Sequence, residues 1–448
     1  MRSNSGNKIF YICYTLLLLL LASCSGKQTL RGVFERHQSP YEKYAAKIKS
    51  AGLDQTALGQ DWLQAGQKAL QDSITITPPL KETGYFAAGQ PRALGYLVAA
   101  QRGERIVVHL EVQAKEPMQV FVDLFEVPEN AGGEARRVAS ADSVGASLGY
   151  EVEEDQQHVL RVQPELLRSG QYTLRIETEP TLAFPVQGKT SQHIASIWGD
   201  PRDGGARRHE GVDIFAARGT PALAATDGTV TRVNVTPRGG KVVWVSDMSR
   251  RQSLYYAHLD SQLVQVGQRV HPGDTLGLVG NTGNAITTSP HLHFGIYRYG
   301  RGATNPYPYL HTSPDEAPDV RIDPALVGNW VRVSASAANL RLAPSIKARS
   351  FGTLPRHTPL RVTGGVSDWY RVALPNGSEA YIASSVVEAA ATPISYEKLA
   401  AATDLLDSAD TRAAAKDSLA AGSQIAILGN YNGFRLVRDT GGVLGWID

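Results

Sequence analysis

The sequence predicts a mainly β chain of antiparallel sheets, entered through a helical hairpin. Three observations carry this. From Ser73 the apolar spacing changes to alternation at every second residue, as in Ile74/Ile76 and Ile106/Val108/Leu110/Val112. Gly- and Pro-bearing turns separate the strand-like runs that follow. The carboxy-terminal part repeats itself at a constant offset of 65 residues, Leu340 matching Leu405 and Val362 matching Ile427. With 448 residues, 42% hydrophobic and 20% charged, the chain has the composition of a globular protein, long enough for about three or four domains.

At the amino terminus Met1–Lys8 carries Arg2 and Lys8, and Phe10–Leu21 is an apolar run. That run is shorter than the roughly 20 residues of a membrane span and reads as a secretory segment, residues 1–23. Its end, Leu21-Ala22-Ser23-Cys24, resembles the lipobox of bacterial lipoproteins. The resemblance implies cleavage before Cys24, its acylation, and a lipid anchor to the membrane. Ser25 follows in place of an inner-membrane aspartate, so the expected location is the cell envelope at the periplasmic face, on the outer rather than the inner membrane. Cys13 and Cys24 are the only cysteines; the mature chain has no disulfide and rests on its cores or on a metal. Removing Arg2 and Lys8 leaves 43 basic residues against 43 acidic ones. A net charge of zero points away from nucleic acid as a partner.

Residues 24–72 read as a tether and helical hairpin. Ser39-Pro40-Tyr41-Glu42 has the form of a capping box, with Pro40 at the first helical position. Gly52 stops the first helix, and the second follows Leu58, Trp62, Gly66 and Leu70. Residues 73–186 read as a β-sandwich, with Gln119–Val127 and Gly170–Glu177 among its strands and Phe184-Pro185-Val186 at its close. His109 and His158 fall on polar strand faces and read as solvated. Residues 313–327 form a Pro- and Asp-rich linker. The repeat then divides into 328–390 and 391–448, whose Gly-aromatic-aliphatic endings (Gly377 with Tyr381-Ile382, Gly442 with Trp446-Ile447) and Asn339–Pro344 strand resemble bacterial SH3-like barrels. That resemblance implies small binding modules; the alternative is that they only pack on the domain before the linker.

Residues 187–312 carry the chemistry. Pro290-His291-Leu292-His293-Phe294-Gly295-Ile296 reads as a buried strand, so His291 and His293 point to one face. Buried imidazoles need a partner, and zinc takes neutral histidine nitrogens. In His209-Glu210-Gly211-Val212-Asp213, His209 and Asp213 lie four apart on one face of an extended segment. With His293 they make two imidazoles and a carboxylate, the three-ligand shell of a catalytic rather than a structural zinc. Proton transfer and oxyanion support require further groups, for which His258, in Leu254–Leu259, and His291 are the candidates. Five of eleven histidines (209, 258, 271, 291, 293) fall within residues 209–293, under a fifth of the chain. His271 reads as an exposed turn residue, and Glu210 alternates away from His209.

The order His-x-Gly-x-Asp, Tyr-x-His-Leu, His-Leu-His-Phe, with Gly219-Thr220-Pro221, Ala225–Val230 and Asn281-Thr282-Gly283 between, resembles the lysostaphin/LytM family of zinc metallopeptidases. The resemblance implies an antiparallel β metallopeptidase domain with one Zn2+ on His209, Asp213 and His293, and His258 and His291 as the catalytic pair. It also implies some oxyanion support from Arg202. Peptidoglycan is the implied substrate and partner, its D-Ala–diaminopimelate cross-link the expected bond, with wall-synthesis or divisome proteins as a further class of partner. The alternative within the same resemblance is a catalytically silent activator of wall amidases or a wall-binding protein. Such activators lack parts of the ligand set, whereas all five positions stand here. The segments before the site are expected to limit access to it, through side chains of Gln187–His193.

Overall fold

The computed structural model describes residues 38–71, 73–128, 133–142, 147–313 and 316–448; the presumed signal segment and Cys24 lie outside them. The first helix, Pro40–Ser50, starts at the capping box: Ser39 Oγ accepts from Glu42 N at 3.2 Å, and Glu42 Oε2 accepts from Ser39 N at 2.8 Å. It ends before Gly52, whose φ of 70° suits glycine. The second helix, Ala57–Gln71, buries Gly59, Trp62, Gly66 and Ala69, a face turned slightly from the Leu58/Leu70 stripe read in the sequence. Trp62 is fully buried, stacks on Tyr41 at 5.0 Å and donates from Nε1 to Pro164 O, which docks the hairpin on the sandwich. No helix of the described residues is long and apolar enough to cross a membrane.

The chain is mainly β, as its alternation implies. One sheet of the sandwich orders its strands as 74–76, 94–100, 156–164, 120–126 and 136–142. The facing sheet runs Ser147–Glu151, Glu104–Gln113, Gly170–Pro180, Leu80–Phe86 and then continues into the first copy of the repeat, where Thr83 and Gly84 pair with Gly365 and Gly364. Val366 and Tyr381 of that copy belong to the sandwich core. His109 is exposed, but the reading of His158 as solvated is wrong: it is fully buried. It shares its strand face with Leu160 and Val162, which face the inner core, while Arg161 and Gln163 turn to the helical hairpin. The helices cover the polar outer face, and His158 meets Tyr150 of the facing sheet at 5.6 Å, so polarity did not mark the solvent side.

The two copies share their architecture at the 65-residue offset. Strands Pro359–Val366 and Gln424–Tyr431 coincide, as do Trp369–Ala373 and Phe434–Arg438, and Ser367 and Asn432 both take positive φ. The copies touch through Trp330 and Trp446 and through Arg332 Nη1, which donates to Thr392 O and Leu428 O. Ile322, within the linker as read, is buried in the first copy's core. The repeat thus packs on the sandwich, where the sequence offered only free modules or packing on the domain before the linker.

The unit between them is an antiparallel sheet. Its strands run in the order Ile194–Ser196, Val212–Phe215, His291–Arg298, Gln252–Gln262, Gly240–Asp247, Gly228–Thr236, Arg269–Val270. Leu182 and Val186, read as the end of the sandwich, pack in this unit's core, and Ala183 N donates to Ala225 O. Against the sandwich, Glu154 receives Arg298 and Arg301, and Glu151 receives Arg250.

Candidate metal centre

Strand register assembles the centre. Asp213 sits directly opposite His293, and His293 opposite Ala257 on its other side, so plain alternation would turn the residue after Ala257 to the far face. That residue is His258. The ladder between Gly240–Asp247 and Gln252–Gln262 slips there, pairing Lys241 with Leu259 and Val243 with Tyr256. The bulge puts His258 at φ 61°, a conformation few side chains adopt, and turns its ring towards the histidines rather than along the alternation. His258 N donates to Gly239 O at 2.7 Å, which holds the turn. His291 lies opposite Phe215, and their rings stack at 5.1 Å. Gly211 has no substitute in the first segment: a Cβ there would lie 2.6 Å from Phe294 O and 2.7 Å from His293 Cε1.

Three acceptors converge. His209 Nε2 and His293 Nδ1 lie 3.0 and 2.9 Å from Asp213 Oδ1, and 3.0 Å from each other. His209 Nδ1 faces Ile197 O at 2.9 Å and must donate its proton there, since a carbonyl only accepts; in the neutral ring this leaves a lone pair on Nε2. Two nitrogens and a carboxylate oxygen within 4.8 Å of one another cannot all be satisfied by hydrogen bonds among themselves. The donor set fits a cation. Burial alone would raise the Asp213 pKa, but the adjoining His209 and His293 rings outweigh it and hold the carboxyl well below the usual range. Burial lowers His293, favouring its neutral form.

His258 and His291 follow the same tautomer rule. His258 Nδ1 faces Thr282 O and His291 Nδ1 faces Ser289 O, each at 2.9 Å, so both leave Nε2 for the cleft. Their ring centroids are 5.0 Å apart. Burial, then the neighbouring His291 and His293, push His258 down to about 4. Arg202 donates through Nη2 to Asp213 Oδ2 at 2.8 Å and to Ser196 Oγ at 2.6 Å.

These groups line a cleft of about 560 Å³ whose walls come from residues 196–297 alone. The side chains of Gln187–His193 do not enter it; His193 Nδ1 lies 3.3 Å from Thr190 N instead. His271 is exposed and pairs with Asp227. Glu210, although set aside in the sequence reading, does reach the cleft wall. Two features escaped the sequence. Ser196 bridges His209, Arg202 and Asp200, and only a serine four residues before an aspartate hinted at it. Tyr255, Trp244 and Tyr297 form an aromatic floor, Trp244 lying 4.5 and 5.2 Å from the two tyrosine rings and Tyr255 5.9 Å from His293. Their signal was three aromatics at polar positions of alternating strands.

Residues 207–306 match the family model for Peptidase family M23, and residues 336–388 that for the Bacterial SH3 domain. Over 140 residues the chain is 37% identical to the L-Ala–D-Glu endopeptidase of Bacillus subtilis, covering 29% of this chain and 42% of that protein. Over 97 residues it is 38% identical to Peptidoglycan DD-endopeptidase ShyC of Vibrio cholerae, covering 21% of each. Among solved structures, the catalytic domain of lysostaphin from Staphylococcus simulans is 28% identical, covers 27% of this chain and 93% of that one, and superposes with a TM-score of 0.25. The chain thus spans less than half the length of these two curated relatives.

Proposed function

We propose that this protein is a cell-envelope zinc endopeptidase that hydrolyses peptide cross-links of bacterial peptidoglycan, most consistently the D-Ala–diaminopimelate bond. The observation that carries the reading is the convergence of His209 Nε2, Asp213 Oδ1 and His293 Nδ1 in an open cleft, beside two histidines that are not needed as ligands. The M23 match over 207–306 supports the same class. These three residues would hold one zinc, which when bound polarises a carbonyl and lowers the pKa of water towards about 7.

The chain's own residues supply the rest. Thr282 O and Ser289 O fix the rings of His258 and His291 so that both Nε2 atoms face the cleft. One accepts the proton of the attacking water, and the other, once protonated at Nε2 as well, donates to the tetrahedral oxyanion. Burial and the neighbouring rings hold the His258 pKa at about 4, so that ring is neutral at physiological pH and a weak base. The 2.8 Å contact to Asp213 favours a positioning role for Arg202 over direct oxyanion support. Ser196 and Ile197 O orient His209 in the same way. The aromatic floor accommodates the apolar faces of short peptide stems. The repeat, one copy of which matches the Bacterial SH3 domain, would hold wall material, and acylated Cys24 would anchor the protein at the envelope.

Purified sacculi treated with the mature protein test this. Cross-linked dimers should fall and the matching monomers rise, a chelator should stop the change, and added zinc should restore it. Dimers that persist at full zinc loading would sink the proposal.

A further inference from the structure

The cleft contains three arginines, and only two are spent within it. Arg202 is bound to Asp213 and Ser196, and Arg207 donates from Nε to Asp203 at 2.6 Å. Among the described residues, no carboxylate or carbonyl takes the Arg238 side chain, although it lines the same cleft. Its charge reaches Asp203, Tyr255 and Tyr297.

An exposed arginine on a loose hairpin would be an ordinary solvated cation. This hairpin is not loose. Arg238 O accepts from Asn284 N at 3.0 Å, Gly239 O accepts from His258 N at 2.7 Å, and Lys241 N donates to Thr282 Oγ1 at 3.0 Å. Packing is equally close: a Cβ on Gly240 would run into Thr282, and one on Gly239 into the Tyr255 hydroxyl. The backbone carrying Arg238 is therefore pinned to the segment that orients His258 and to the loop that fixes its tautomer. A cation held in the wall of a reaction cleft, near the Tyr255 and Tyr297 rings and with no hydrogen-bonded acceptor among the described residues, is built to meet an anion that arrives with the substrate.

We infer that Arg238 determines specificity by taking the carboxylate bonded to the carbon that bears the scissile nitrogen. This rests on the reading of the cleft as a cross-link hydrolase. A D-Ala–diaminopimelate cross-link has that carboxylate; a glycyl-glycine bridge, or a diaminopimelate amidated at that carbon, does not. The residue thus separates anionic from neutral cross-links, and binding energy from the carboxylate is available to align the amide beneath the two histidines.

The test uses the full mature protein and two dimeric muropeptides that differ only in whether this carboxylate is free or amidated. Wild type should favour the free form by about tenfold or more in kcat/KM, the worth of one charge-assisted hydrogen bond. Arg238→Gln should lose most of that preference and cleave the two dimers at similar kcat/KM, with zinc content unchanged. A parallel fall on both dimers, or no preference in the wild type, would overturn the inference while leaving the hydrolase reading intact. Failure of zinc-loaded wild type to cut either dimer would overturn the hydrolase reading itself, and this inference with it.

Discussion

Asp213 and His293 face each other across one antiparallel ladder, with Asp213 Oδ1 2.9 Å from His293 Nδ1. The pair is set by register alone, so the metal centre is as stable as the sheet that carries it. His293→Ala should therefore empty the site while leaving the fold. Metal analysis is expected to find one zinc per wild-type chain and close to none in the variant; equal zinc in both would remove His293 from the ligand set.

The two remaining histidines should behave differently. His258→Ala and His291→Ala keep all three presumed ligands, so zinc stays, while cross-link cleavage falls by about 10²–10⁴-fold. Zinc loss in either variant would move that residue among the ligands.

Gly211 is a sensitive position without chemistry of its own. Because a Cβ would lie 2.7 Å from His293 Cε1 and 2.6 Å from Phe294 O, Gly211→Ala should displace the ring and weaken zinc affinity by about 10- to 100-fold, the usual scale for disturbing a ligand's support. A competition titration against a chromophoric chelator measures this, and unchanged affinity would show that the strand yields freely.

Burial of His158 carries a pH signature. Desolvation lowers its pKa below the ordinary 6.5, against the opposing charge of Glu126. A depressed folded-state pKa means the unfolded chain binds the proton more readily, so stability is intact above about pH 6.5 and falls as pH drops towards the folded value. His158→Leu should shrink the fall in Tm between about pH 7 and pH 5. An identical pH dependence in the two proteins would show that His158 contributes nothing to it.

Glu82 lies at the seam between the sandwich and the repeat. It is fully buried and accepts from Tyr172 at 2.7 Å, Tyr96 at 3.0 Å and Tyr381 at 3.1 Å, with Arg371 Nη1 at 3.4 Å. Glu82→Gln removes the charge but leaves Arg371 buried, facing Glu379 alone. Breaking such a pair should cost about 3 kcal/mol, the low end for a buried ion pair. Denaturant unfolding gives the value; zinc content should not move.

Local patterns made much of this molecule legible. The capping box at Ser39, the two copies at their fixed offset, and the same-face spacing of His209 with Asp213 are all short-range signals, and short-range geometry realises them. What escaped the sequence depends on pairings between distant segments. The bulge that aims His258 arises from a slip against Lys241–Val243. His158 is buried by the facing sheet, whose Tyr150 packs on its ring, and nothing near Thr83 announces Gly365 as its partner. The contact of Arg202 with Asp213 likewise joins a separate hairpin, Pro201–Arg208, to the strand that carries a ligand.

The sheet that runs unbroken from Gly170–Pro180 through Leu80–Phe86 into Pro359–Val366 closes a ring in the chain path. The catalytic unit leaves this platform after Pro180 and its chain returns to it at Ile322, so the unit hangs as a bight clasped at both ends. One protease cut within 313–327 would then leave two polypeptides that migrate separately in denaturant yet travel together under native conditions.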